Sequence, residues 1–112
     1  MSAATYNFNL DQGADFALEM IMKENGAVKD LSGYSARAQM RKTKDSTEVT
    51  ATFTCSVVDP TAGKINMSMT NATTGAIAAG VYFYDLEIYT ASDSFVLRLI
   101  QGQATVTREI TR

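Results

Sequence analysis

The sequence predicts an all-β domain in which seven or eight strands form two packed antiparallel sheets, with one short helical turn. Apolar and polar residues alternate with a period of two in most segments, as half-buried strands require. Turn-forming residues separate these segments about every ten positions, and helical periodicity is almost absent. With 112 residues, 46% of them hydrophobic and 20% charged, the composition suits a single domain over residues 1–112.

Four strands are predicted in the first half of the chain. Three apolar side chains share a face in the first strand and four in the second, which places both strands against a core. Asn25 and Gly26 follow the second strand and predict a tight turn, because both residues tolerate a positive φ. Cys55 falls on the apolar face of the fourth strand and is expected to be a buried structural thiol. The four strands span residues 6–10, 16–23, 34–42 and 49–57.

The second half begins with a turn around Pro60 and a strand over residues 65–70. The following residues, 72–80, are small and rich in alanine, which predicts the helical turn between the sheets. Gly80 suits the end of that turn. Three further strands are expected as consecutive antiparallel neighbours over residues 81–89, 95–100 and 103–110.

The composition argues against several classes of function. The chain has no histidine, which is the commonest general base and metal ligand in proteins. Cys55 therefore has no histidine to activate it as a nucleophile. We therefore expect a protein without catalytic activity, metal or cofactor. A net charge of −2 without a long basic cluster argues against nucleic-acid binding. No apolar run approaches the ~20 residues of a membrane span, and residues 1–10 do not form a signal peptide, so synthesis in the cytoplasm is expected.

Acidic residues near the end of the chain allow more than one interpretation. Asp85 and Glu87 share one strand face and Asp93 lies in the following turn, so three carboxylates could hold a Ca²⁺ ion. A catalytic carboxylate pair could be drawn on the same residues, although a suitable cleft is hard to build in so short a chain. The favoured interpretation is ordinary cross-strand pairing with residues such as Arg98.

The segments over residues 81–89 and 95–100 carry apolar side chains on both faces, although only one face can point at the core. The other face would then form an exposed apolar patch, which predicts an interface with another chain. The alternative is that a loop, or the helical turn over residues 72–79, covers the patch internally. The interface candidates are Phe83, Tyr89, Phe95, Leu97 and Leu99.

Several short motifs follow one another in an order and spacing that span almost the whole chain. They are Tyr6-Asn7-Phe8, Asp11-Gln12-Gly13 with Phe16, Asp30-Leu31-Ser32-Gly33-Tyr34-Ser35-Ala36-Arg37, Gln39-Met40-Arg41, Gly80-Val81-Tyr82, Tyr84-Asp85-Leu86-Glu87, Arg98-Leu99-Ile100-Gln101-Gly102 and Glu109-Ile110-Thr111-Arg112. In this order they resemble a family of small bacteriophage virion proteins found in tails, baseplates and fibre attachments. The resemblance implies an immunoglobulin-like antiparallel β-sandwich and no catalytic residues.

The same resemblance implies a function. It is that of a structural virion component, made in the host cytoplasm, which contacts other virion proteins and copies of itself as a tail, baseplate or fibre-adaptor protein. The termini, residues 2–4 and 107–112, could add a strand to a neighbouring subunit. The alternative is a small receptor- or carbohydrate-binding module used in host recognition. Its stacking aromatics would be Tyr34, Phe83, Tyr89 and Phe95.

Overall fold

The computed structural model describes residues 4–91 and 94–110. Over these residues the chain has ten strands, one short α-helix and a 3₁₀ turn at Pro60–Ala62. The elements are β1 (Ala4–Thr5), β2 (Phe8–Asp11), β3 (Phe16–Ile21), β4 (Lys23–Glu24), β5 (Ala27–Val28), β6 (Ser35–Arg41), β7 (Ala51–Asp59), β8 (Lys64–Met69), α1 (Asn71–Gly75), β9 (Gly80–Tyr89) and β10 (Val96–Thr107).

Eight of these strands form one sheet that curls into a half-barrel. The order is β1-β10-β9-β6-β7-β8-β3, and β2 follows β1 along the same edge of β10. Strand β7 joins the two halves of the sheet, because its first residues pair with β6 and the others with β8. Strands β4 and β5 form a separate hairpin. We call the end of the half-barrel that carries this hairpin the hairpin end, and the opposite end, which carries α1, the helix end.

The all-β fold, the number of sheet strands and the short helix agree with the prediction. The two predicted layers are the two halves of this one sheet. The predicted tight turn at Asn25 and Gly26 forms the β4–β5 hairpin, with positive φ at both residues. Strands β1 and β2 depart from the antiparallel rule because they run parallel to β10. Two residues of the predicted terminal segments are therefore paired within the chain, Ala4 with Ile100 and Thr107 with Asp11. Residues 2, 3, 111 and 112, which belong to the predicted strand addition, lie outside the described residues.

The prediction of two strands over residues 95–100 and 103–110 is wrong, because β10 runs without a break from Val96 to Thr107. Gly102 lies inside β10 and interrupts the apolar pattern without ending the strand. A Cβ atom at this position would overlap the carbonyl oxygen of Tyr6, so the glycine marks the close approach of the N-terminal segment. A bulge between Arg98 and Ile100 shifts the register of β10 against β9.

Alternate side chains of the strands fill the half-barrel, as the period of two predicts. An aromatic cluster ties β2 to the rest of this core. The ring centroid of Phe8 lies 4.9 Å from that of Phe16 and 4.7 Å from that of Tyr84. Each such ring contact contributes about 0.5–1.5 kcal/mol beyond the burial of its apolar surface. The largest apolar side chains with no appreciable exposure are Leu10, Leu31, Met40, Ile65, Met67, Leu86 and Ile88.

At the helix end, α1 is fastened to the turn between β2 and β3. The buried hydroxyl of Thr74 donates a hydrogen bond to the carbonyl oxygen of Ala14 at 2.7 Å and accepts one from the amide of Gly13 at 3.1 Å. The carboxylate of Asp15 accepts a hydrogen bond from the amide of Asn71 at 2.8 Å. The helical turn, predicted over residues 72–80, thus links β8 to β9 and covers this end of the core.

Two glycines with a left-handed backbone give a matched test of close packing. The φ angles are +68° at Gly63 and +79° at Gly26, but only Gly63 is crowded, since a Cβ there would lie 2.8 Å from the carbonyl oxygens of Met22 and Lys29. We expect Gly26→Ala to lower the free energy of unfolding by about 1 kcal/mol through backbone strain alone. Gly63→Ala should lower it by about 3 kcal/mol. Urea denaturation measures both, and equal losses would contradict the close approach at Gly63.

Candidate functional site

The outward face of the three central strands carries a continuous set of nine side chains, which we call the polar panel. These residues alternate along β6, β9 and β10 with residues that point into the core. Strand register arranges them in three rows across the sheet, since neighbouring residues on paired strands lie side by side. The rows are Arg41, Phe83 and Gln103, then Gln39, Asp85 and Gln101, then Arg37, Glu87 and Arg98.

The polar panel forms the floor of a groove. Two short segments line it as well: Thr5 and Asn7 of the N-terminal region, and Thr43 and Lys44 of the β6–β7 loop. The volume of this open groove is about 870 Å³. This lies within the range of about 300–1,000 Å³ that small-molecule sites occupy in proteins. The groove is therefore large enough to hold a ligand.

Ion pairs hold the charged side chains of the polar panel in place. Nε of Arg37 lies 2.9 Å from a carboxylate oxygen of Glu87, and Nε of Arg98 lies 3.2 Å from a carboxylate oxygen of Asp85. The predicted cross-strand pairing with Arg98 is confirmed. Asp93, the third acidic residue of the alternative calcium site, lies outside the described residues. Within residues 4–91 and 94–110, no group of three acidic or cysteine side chains is arranged to hold a metal ion.

The Asp85 carboxyl has an altered acidity. Partial burial in the floor of the groove raises its pKa above the ordinary value, and the negative charge of Glu87 raises it further. The positive charges of Arg98 and Arg41 act in the opposite direction but do not cancel the increase. The two arginines therefore favour the ionised form of Asp85.

Cations also lie over the aromatic rings of this face. The Lys44 ammonium is 5.6 Å from the ring centroid of Phe83, and the Arg37 guanidinium is 4.3 Å from that of Tyr89. Both aromatic side chains are half-buried. Helix α1 lies at the helix end, where it contacts the β2–β3 turn. The role of the two rings in an interface stays a prediction.

The remaining three interface candidates differ in how exposed they are. Phe95 is exposed, and its ring packs against Tyr34 with 6.0 Å between centroids. Leu97 is half-buried and packs against the core. Leu99 is buried, with 6% exposure, so its assignment to an exposed patch is wrong. Arg98 faces outward beside Glu87, so alternation turns Leu99 inward, and the bulge turns Ile100 inward as well.

Exposed apolar side chains also occur at the hairpin end, on both halves of the sheet. They come from the last residues of β3, β5 and β7 and from the start of β10, which antiparallel pairing brings to the same end of the sheet. Their exposed fractions run from 41% to 51%, which is high for large apolar side chains. Sequence periodicity could not identify this set, because it depends on where strands end in space. The set is Ile21, Val28, Val58, Phe95 and Val96.

The sheet is also open along one side. Strands β1 and β3 lie at the two edges of the half-barrel, and a cleft of about 530 Å³ separates them. Leu18, Met20 and Ile100 line this cleft, which gives it an apolar interior. Unpaired edge strands leave backbone donors and acceptors available to another chain. The cleft extends to Ile21 and Met22 and so approaches the hairpin end.

Cys55 is half-buried on β7, with its Sγ atom 3.9 Å from the carbonyl oxygen of Phe53. Burial raises the pKa of the thiol to about 11. Because the thiolate is the nucleophilic form, burial lowers the reactivity of this thiol at neutral pH. The position agrees with the prediction of a core-facing residue, although part of the side chain stays accessible.

Comparisons with known proteins leave the function open: no protein-family model matches this sequence, and neither does any curated protein. The family resemblance of the motifs is therefore still an expectation. Within the described residues, no helix has the length and apolar character needed to cross a membrane.

The Asp85–Arg98 pair predicts a pH effect. Because Arg98 lowers the pKa of Asp85, Arg98→Gln should raise that pKa further, which an NMR titration of the Asp85 carboxyl carbon measures. The folded-state pKa lies above the unfolded value near 3.8, so the folded state binds more protons in this window and stability falls as the pH rises through it. The variant should show a steeper fall than the wild type. Arg108→Gln, outside the polar panel, is the control, and an unchanged Asp85 titration in Arg98→Gln would contradict the pairing.

Proposed function

We propose that this protein is a non-catalytic structural component of a bacteriophage virion, present in multiple copies as a tail, baseplate or fibre-adaptor protein. The virion setting rests on the resemblance of the sequence motifs. The role in assembly rests on one structural observation, the apolar side chains at the hairpin end. These two lines of support are independent of each other.

Apolar side chains at the hairpin end would be covered in an assembly. Each leaves close to half of its surface in water, and covering apolar surface is favourable by about 25 cal/mol per Å². Three of them, Ile21, Val58 and Val96, project from strand ends on both halves of the sheet, where the backbone is held by neighbouring strands. A partner would therefore meet a surface that needs little reorganisation, which lowers the entropy cost of association.

The open side of the sheet supports the same role. An extended segment of a neighbouring subunit can pair with the unpaired edge of β3, as strands do when they complete another protein's sheet. Leu18 and Met20 would then be covered by that segment. The contact at the hairpin end and the contact along β3 would adjoin, because the cleft reaches Ile21.

The assembly role predicts the behaviour of a double variant. Phe95→Ser with Val96→Ser removes two apolar side chains that are 46% and 41% exposed, so the fold should survive while self-association is lost. Light scattering over a range of protein concentrations measures the assembly state. Val49→Ser with Val81→Ser is the matched control, since these side chains are 36% and 50% exposed but lie away from the hairpin end. An equal effect of both variants, or no effect of the first, would count against an interface at the hairpin end.

The virion role predicts the composition of particles. We expect the protein in purified phage particles at a fixed ratio to the other structural proteins, because a ring or an attachment point has a defined number of subunits. Quantitative mass spectrometry of particles purified through a density gradient measures that ratio. Absence from the particles, with the protein abundant in the lysate, would overturn the virion role while leaving self-association possible.

A further inference from the structure

The groove over the polar panel has properties that assembly at the hairpin end does not explain. Its floor is formed by three strands that already have partners on both sides: β9 between β6 and β10, β6 beside β7, and β10 beside β1 and β2. The floor therefore offers no backbone edge to an added strand. On the floor of the groove, a ligand must therefore be recognised by side chains.

The side chains of the middle row select a type of ligand. Oε1 of Gln39 accepts a hydrogen bond from Arg41, and Oε1 of Gln101 accepts one from Arg98, so the two amides offer N–H donors to a ligand. Asp85 between them only accepts when ionised. A hydroxyl group both donates and accepts, so a ligand with several hydroxyls satisfies such a mixed row. A phosphate or a carboxylate alone would leave Asp85 facing a like charge. The row therefore favours a polyhydroxylated ligand.

Phe83 supplies an apolar surface in the next row, between Arg41 and Gln103. Its ring is half-buried, and the side chain of Lys44, which lies over it, is exposed and belongs to a loop. A flexible lysine side chain can move aside at little cost. The ring would then meet the apolar C–H face of a sugar, while the polar neighbours meet its hydroxyls.

The charged side chains that line the groove further restrict the class of ligand that fits it. Four cationic side chains line the groove against the carboxylates of Asp85 and Glu87. Arg37 and Arg98 pair with those carboxylates, whereas Arg41 and Lys44 pair with no carboxylate among the described residues. The positive charge is therefore concentrated beside Phe83, on a protein whose net charge is −2. An anionic group on the ligand would lie there.

From these observations we propose that the groove binds an acidic saccharide. The sugar ring packs on Phe83, its carboxylate lies between Arg41 and Lys44, and its hydroxyls bond to the middle row. An acidic peptide fits less well, because its backbone would find no strand edge in the floor. This inference goes beyond the structural role and does not depend on it, since the groove and the hairpin end use different residues.

The test is a glycan array that presents carboxylated glycans, with sialic or uronic acids, beside their neutral counterparts. We expect binding to carboxylated glycans only. For the best of them, ¹⁵N NMR titration should shift the amides of β6, β9 and β10 around Phe83. An array without binding to any carboxylated glycan overturns the proposal, and so does equal binding to the neutral counterparts.

Variants assign the binding to the groove. Phe83→Ala should weaken the affinity by about tenfold, whereas Tyr89→Ala, on the same strand face but outside the groove lining, should leave it unchanged. Arg41→Gln with Lys44→Gln should remove the preference for acidic over neutral glycans, and Lys42→Gln is the charge control. Circular dichroism verifies the fold of each variant. If folded Phe83→Ala and Arg41→Gln/Lys44→Gln bind like the wild type, the site is not this groove. Either result leaves the light-scattering and particle experiments unaffected.

Discussion

The pairing of the N-terminal segment along β10 is the contact on which the rest of this structure depends. Residues 4–11 run parallel to β10 and bring Phe8 onto Phe16 and Tyr84, so the aromatic core is closed by a segment from the far end of the chain. The hydroxyl of Tyr84 donates a hydrogen bond to the carbonyl oxygen of Tyr6, and burial raises the pKa of that hydroxyl, which keeps it protonated. Gly102 makes this approach possible. The same segment lines one side of the groove and one edge of the apolar cleft. The shapes of the groove and of the cleft therefore depend on it.

The bulge in β10 determines which side chains of this strand face the core and which face solvent. Before the bulge, Arg98 faces outward beside Glu87, and after it, Gln101 faces outward beside Asp85. The extra residue allows Leu99 and Ile100 both to point inward, which a regular strand would forbid. Without the bulge, one of these two side chains would lie in the polar panel. The polar floor of the groove and the closed core thus result from the same local geometry.

Sequence periodicity predicted the features that depend on residues close together along the chain. It placed Cys55 on the core-facing side of its strand and anticipated the pairing of Asp85 with Arg98, because alternation fixes which side chains share a strand face. It could not predict the parallel pairing of residues 4–11 with β10, a contact between the two ends of the chain. The groove was missed for the same reason, since its rows exist only when three strands are in register. The predicted gap between residues 100 and 103 is wrong because Gly102 reflects the close approach of Tyr6, which is a long-range contact.

The two surfaces differ in a way that allows both to be occupied at once. The apolar side chains lie at the hairpin end, near Tyr89, whereas Phe83 lies six residues earlier on the same strand. At a rise of about 3.3 Å per residue, the two positions are about 20 Å apart. A partner bound at the hairpin end would meet the row of Arg37, Glu87 and Arg98 first and leave the Phe83 row accessible. Because β9 is paired on both sides, the distance between the two surfaces is fixed by the sheet, so a module held at one end would present the groove in a constant orientation.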